Sequence, residues 1–314
     1  MYASPSADRE RVGVYGKIPA QGDFVRINAA DAAAQSLDQW VQESLDAMQR
    51  VGVELPPGPT FFMHHRLDPS MPVTVGAMCP SRDRVGRVYP MIVFVRVDPA
   101  WVGSRFPGVA VGYGHFLRGA ARILGDLARA DAQLLSAWAK QLRAPTAQEL
   151  AAADQVCRQS LDGIPAASVH ARLFGDPSLG LRYHAFRTAI EACDAARSMA
   201  SRVPITLDCP LRADVDLFTW LELTRRRLYG SGLVPTVVWR EEADPRAMIS
   251  LGPAHPSMLK FLARPAEPAN ALWPLRTDRP DVVAQSAAAL APHHRQALDR
   301  FDLSLEVLLS VLSR

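Results

Sequence analysis

Side chains able to do chemistry gather at four places along this 314-residue chain. Lys17, Asp23 and Arg26 stand among Gly16, Pro19 and Gly22, directly after an apolar stretch at 12–15. Gly16-Lys17 has the look of a phosphate loop's end, but Ile18 and Pro19 occupy the place where a metal-binding hydroxyl and a helix N-terminus are needed. Arg82, Asp83, Arg84 and Arg87 crowd a second turn around Gly86, ahead of the apolar run at 88–97. His64, His65 and Asp68 form the best metal-like group, yet adjacent residues of a strand point to opposite faces, so the two imidazoles cannot share one ion without a bulge. Cys79 precedes Pro80 and the second turn. Arg82 and Arg84 could lower its pKa, but no partner histidine is identifiable, which favours a packed thiol at a strand end.

No phosphate loop of the G-x-x-x-x-G-K-[ST] kind, no G-x-G-x-x-G, no G-x-S-x-G elbow and no H-E-x-x-H pair occurs. The reading is therefore a non-enzymatic protein without cofactor or metal. The alternative is a hydrolase or phosphatase built on Ser81, Asp83 and the His64/His65 region, which requires those side chains to converge within hydrogen-bond reach or one bridging water. Composition narrows the class further: 48% hydrophobic and 21% charged residues describe a globular chain. A net charge of +3, from 35 basic against 32 acidic residues, is too balanced for nucleic acid or an anionic membrane as main partner. Residues 1–11 lack an apolar core of the kind an export signal carries, and no apolar run approaches membrane-spanning length. Cys79, Cys157, Cys193 and Cys209 lie far apart, as expected of reduced, buried thiols in a cytoplasmic protein.

The elements that would position these groups follow from periodicity. Val12, Val14 and Tyr15 read as a short strand. Leu37, Trp40, Val41, Leu45 and Met48 recur at helical spacing, predicting a helix over 30–50 that ends at Gly52. Strands are expected at 60–67, 73–79 and 88–97, paired as an antiparallel meander through turns at Asp68-Pro69 and 81–86. From 108 to 201 alanine, leucine and arginine dominate and predict helices. One has the stripe Phe116, Ala120, Ile123, Leu124 and Leu127, another Leu134, Leu135 and Trp138; Thr146 with Glu149 makes a capping box, and a last helix covers 181–199. Arg118, Arg122 and Arg129 form a basic face, while Arg225, Arg226 and Arg227 end a helix over 214–229 as solvated surface. Strands at 205–207, 236–240 and 247–251 and a helix at 257–263 follow. The expected fold is α/β, a layered sandwich with a mixed, largely antiparallel central sheet, a helical middle region and a helical C-terminal extension. The division is 1–263 for the α/β domain, with 108–201 inside it, and 264–314 for a proline-rich linker with two helices, the last presenting Leu305, Leu308, Leu309 and Leu312 on one face.

The run Gly13-x-x-Gly16-Lys17-Ile18-Pro19-x-x-Gly22-Asp23-Phe24-Val25-Arg26 resembles the N-terminal signature of the type VI secretion-associated TagF family, also called ImpM. Trp40 follows on its helix. Ser81-x-Asp83-x-Val-Gly86-Arg87-x-Tyr89-Pro90 is similar to the family's second signature, and Thr219-Trp220 with the strand ending at Trp239 resembles its C-terminal element. The resemblance spans about residues 11–263. It implies a cytoplasmic, non-enzymatic role as a post-translational repressor of type VI secretion that binds a forkhead-associated scaffold protein. Some family members are fused to a serine/threonine phosphatase domain, and none is visible here.

The two signature loops are expected to lie close together, with Asp23 pairing with Arg87 or Arg26 to hold them. Tyr15, Lys17, Asp23, Phe24, Arg26, Asp83, Arg87 and Tyr89 are the candidate partner-binding residues. Gly13, Gly16, Pro19, Gly22, Trp40, Ser81, Gly86, Pro90, Trp220 and Trp239 are read as structural. Whether the loops are interface or scaffold stays open, as does the oligomeric state.

Overall fold

The computed structural model describes residues 12–65, 71–198, 204–242, 244–252, 254–264 and 271–314. The expectations for residues 1–11, for the Asp68-Pro69 turn, for the last residues of the 60–67 strand and for Pro265 and Pro268 lie outside them.

Among the described residues, nine strands form one sheet: β1 (Gly13–Gly16), β2 (Val25–Ile27), β3 (Thr60–His64), β4 (Val73–Cys79), β5 (Met91–Val97), β6 (Thr206–Pro210), β7 (Thr236–Arg240), β8 (Arg246–Ser250) and β9 (Leu272–Pro274). Their order is β2-β1-β5-β4-β3-β7-β8-β6-β9. Every pairing is antiparallel except β6 with β9, so the sheet is mixed and largely antiparallel, and β3, β4 and β5 form the expected meander. Alternation assigns the two faces. Val14, Phe61, Val75, Val93, Val237 and Ile249 enter one core, while Tyr15, Phe62, Met78, Phe94, Val238 and Met248 enter the other. Such two-sided burial is why β4 and β5 read as continuous apolar runs.

Helix α1 (Ala32–Gln49) crosses the second face. Its N-cap Asp31 accepts from the Ala34 N–H at 2.9 Å and from the Arg96 guanidinium of β5, which ties the start of the helix to the sheet. Trp40 is buried there, donating its indole N–H to the His255 carbonyl at 3.3 Å. The first face is covered by α2 (Pro99–Arg105), α3 (Val109–Gly112), α4 (Gly114–Gly125), α5 (Ala132–Gln141), α6 (Ala147–Ser160), α7 (Ala166–Phe174), α8 (Leu181–Ser198) and α9 (Asp214–Arg227). Thr146 and Glu149 form the expected capping box of α6. Of the second predicted stripe, Leu135 is buried but Leu134 is exposed, because α5 lays only one edge on the sheet. Helix α10 (Met258–Ala263) joins α1 over the second core.

After residue 271 the chain gives the edge strand β9 and three helices, α11 (Pro280–Ala289), α12 (Pro292–Asp299) and α13 (Leu305–Leu312), where two helices were expected. Leu305, Leu308, Leu309 and Leu312 are fully buried in the first core. Their position overturns the reading of Arg225 to Arg227 as solvated surface. Glu222 is buried beneath them and accepts from Arg225 Nη2 at 2.6 Å and Arg226 Nε at 2.8 Å, while Arg226 also reaches Glu306 of α13 at 2.5 Å. Arg227 is buried against Asp194. A buried carboxylate demands counter-charges, and the basic turn of α9 supplies them.

Candidate functional site

The loop after β1 and the loop at residues 81–90 meet at one end of the sheet, because β1 lies beside β5 in the sheet order and the second loop leads into β5. Gly16 has φ +141°, and a Cβ there would fall 2.1 Å from the Pro90 carbonyl oxygen, so only glycine lets the two chains approach this closely. Gly13 passes against the Phe94 ring in the same way. Pro90 donates no backbone hydrogen bond, and β5 accordingly starts at Met91 rather than at Val88. Val88 instead forms an isolated bridge with Arg82, and Gly86, at φ +89°, donates to the Asp83 carbonyl at 3.0 Å to close the turn.

The expected ion pair exists between the loops but with another carboxylate. Asp23 is exposed and takes no part in it. Asp83, whose side chain is closed to solvent, accepts from Lys17 Nζ at 3.1 Å, Arg87 Nε at 2.6 Å, and the backbone N–H groups of Val85 and Arg87 at 3.0 and 2.9 Å. Arg87 also donates to the Gly22 carbonyl, and the Arg84 N–H donates to the Gln21 carbonyl at 2.8 Å. Asp83 prevails over Asp23 because its own turn aims two N–H groups at it, which offsets the cost of burying a charge. Burial alone would push the Asp83 carboxyl up. The Arg87 N–H, the Lys17 ammonium, the Arg87 guanidinium and the Val85 N–H outweigh that and hold it well below the usual carboxylate range.

Three aromatic rings stand on this base. Phe24 stacks on Tyr15 with centroids 5.2 Å apart, and Tyr89 meets Tyr15 and Phe24 edge-on at 5.7 and 4.9 Å. Lys17 Nζ sits 5.1 Å from the Phe24 centroid and the Arg26 guanidinium 5.1 Å from that of Tyr15. The Tyr89 hydroxyl donates to Asp38 Oδ1 of α1 at 2.5 Å, and burial, reinforced by that carboxylate, pushes the phenol far up. Of the eight candidate binding residues, Tyr15, Lys17, Asp83 and Tyr89 are buried as a base. Asp23, Phe24, Arg26 and Arg87 are exposed above it, with Phe24 at 41%.

Sequence reasoning did not single out Asp38, Val85 or Val88. Asp38 falls on the apolar stripe of α1, four residues after Ala34 and three before Val41, and a carboxylate on that stripe was the available signal. Val85 and Val88 of the second loop are exposed at 67% and 53%, although their type predicts burial.

The structural residues divide. Trp40, Trp220, Trp239, Ser81 and Pro90 are buried, whereas Pro19 is exposed and a Cβ on Gly22 would meet nothing within 4 Å. The Trp220 indole donates to the Pro210 carbonyl at 3.0 Å, and Trp239 packs on Phe61 at 5.5 Å.

The residues of the hydrolase alternative do not converge. His64 pairs with Thr74 near the start of β4 and packs against Trp40 at 5.2 Å, whereas Ser81 lies past Cys79 at the other end, roughly 17 Å away along the strand. Burial pushes the Cys79 thiol up, with the Gly58 N–H and Arg240 opposing, and pushes Cys193 up to about 12. All four cysteines are free, Cys193 and Cys209 buried, Cys79 and Cys157 half-buried. Among the described residues no group of three or more His, Cys, Asp or Glu side chains could hold a metal ion, and no helix is long and apolar enough to cross a membrane.

Residues 13–107 match the model of the TagF N-terminal domain, described as type VI secretion system-associated. Among solved structures, the crystal structure of PA0076 from Pseudomonas aeruginosa PAO1 is similar over 46% of this chain and 78% of that one, at 21% sequence identity and a TM-score of 0.39. No curated protein matches the chain. Both loops of the site fall inside the matched stretch, residues 13–107, which is similar to the TagF N-terminal domain of type VI secretion-associated proteins.

Proposed function

We propose that this protein is a non-enzymatic, cytoplasmic regulator of type VI secretion that acts post-translationally, as a repressor, by binding a forkhead-associated scaffold protein of the apparatus. The observation that carries the reading is the pair of TagF-signature loops, locked together by Asp83 under an exposed aromatic ring, Phe24. A scaffold holding an exposed aromatic and arginine side chains at a loop surface has the make-up of a binding site. The dispersal of Ser81 and His64 to opposite ends of β4 removes the support for the hydrolase alternative at those residues.

The test is direct binding of the purified scaffold protein from the same organism to the full-length chain by biolayer interferometry, with Phe24→Ala as the control. Binding that Phe24→Ala abolishes, with the fold retained by circular dichroism, supports the reading. Absence of scaffold binding by the wild-type protein overturns the choice of partner.

A further inference from the structure

The cations of the two loops fall into two groups with different fates. Lys17 and Arg87 share the single carboxylate of Asp83. Among the described residues, Arg82 and Arg84 are exposed and engage no carboxylate, and Arg26 rests on the Tyr15 ring and hydroxyl. The apolar residues Phe24, Val85 and Val88 of the same loops are also exposed. The Arg84 N–H bond to the Gln21 carbonyl and the Phe24–Tyr89 ring contact bring the two loops into one surface. The acidic residue exposed there is Asp23.

We infer that this surface docks an acidic protein segment bearing an apolar side chain, its carboxylates on Arg26, Arg82 and Arg84 and its apolar group against Phe24, Val85 and Val88. The inference rests on the binding role proposed above and adds the chemistry of the partner. Exposed apolar side chains are left in water at a cost that a partner removes, and guanidinium groups without an internal counter-ion favour carboxylates geometrically. The locked base means that little conformational freedom is lost on docking. Charge at the rim governs the approach of the partner, and the apolar centre governs how long it stays.

The experiment uses the full-length protein with two probes. The first is the scaffold protein, measured from about 50 to 300 mM salt against wild type, Arg82→Glu/Arg84→Glu and Phe24→Ala. The expected result is an association rate about tenfold lower in the double variant with a flattened salt dependence, and faster dissociation for Phe24→Ala. Scaffold binding that is indifferent to salt and to the double variant overturns the inference and leaves the proposed function standing. The second probe is a short peptide of alternating glutamate and leucine beside its lysine–leucine counterpart, followed by amide chemical shifts. Shifts confined to residues 21–26 and 82–89, given by the acidic peptide and absent in the double variant, support the inference even where the scaffold does not bind. Equal response to both peptides overturns it.

Discussion

Lys17 Nζ lies 3.1 Å from Asp83 Oδ2, with the lysine side chain 7% and the aspartate side chain 0% exposed, so the contact between the two signature loops is an ion pair shut away from water. Its consequence is a division of labour. Lys17, Asp83 and Arg87 hold the loops together, while Arg26, Arg82 and Arg84 are exposed outside that ion pair.

Asp83→Asn retains shape but removes the charge that Lys17 and Arg87 share. The variant is expected to melt at a clearly lower temperature at neutral pH. The pH dependence has a definite sign. A carboxyl whose folded pKa is depressed contributes stability above its unfolded pKa of about 4 and loses that contribution as pH falls towards the folded value. Wild type should therefore lose more stability than Asp83→Asn on acidification from about pH 5 to 3, in urea titrations at fixed pH. Parallel losses would remove Asp83 as the hub.

Gly16→Ala and Gly22→Ala should behave oppositely although both glycines belong to one signature run. At Gly16 the new Cβ collides with the Pro90 carbonyl in a backbone conformation that disfavours side chains, costing roughly 2 kcal/mol or more. At Gly22 nothing stands within 4 Å, so stability should change by less than about 0.5 kcal/mol. Denaturant midpoints of the two variants decide it.

Phe24→Ala removes a ring that is partly in water and that meets Tyr15, Tyr89 and the Lys17 ammonium. The loss of stability should not exceed about 1.5 kcal/mol, read by thermal unfolding. A larger loss would make Phe24 part of the scaffold rather than of the binding surface.

Glu222→Gln at the other end of the molecule leaves Arg225 and Arg226 without their shared buried carboxylate. A cost of roughly 3 kcal/mol is expected, with faster proteolysis of the C-terminal helices, since Arg226 also grips Glu306. The folded pKa of Glu222 is depressed: burial raises it, but the hydrogen bonds from Arg225 and Arg226 prevail. The stabilisation should accordingly be present at neutral pH and fade below about pH 4.5.

Much of the frame was legible in the residues alone. Strands β4 and β5, helix α1 and the Thr146–Glu149 box all follow from apolar period and cap chemistry, which act within a few neighbouring residues. Tertiary structure decided which carboxylate the loops bury, because Asp83 wins over Asp23 only when β1 and β5 lie side by side and Lys17 is carried above the 81–90 turn. It also decided that Arg225 to Arg227 face a buried glutamate and the last helix instead of solvent, and that Val85 and Val88 stay in water. Local sequence dictates the conformation of a segment through its own sterics and hydrogen bonds. The partner of a charge and the exposure of an apolar side chain depend on which distant segment arrives beside it, and that is settled only when the whole sheet closes its register.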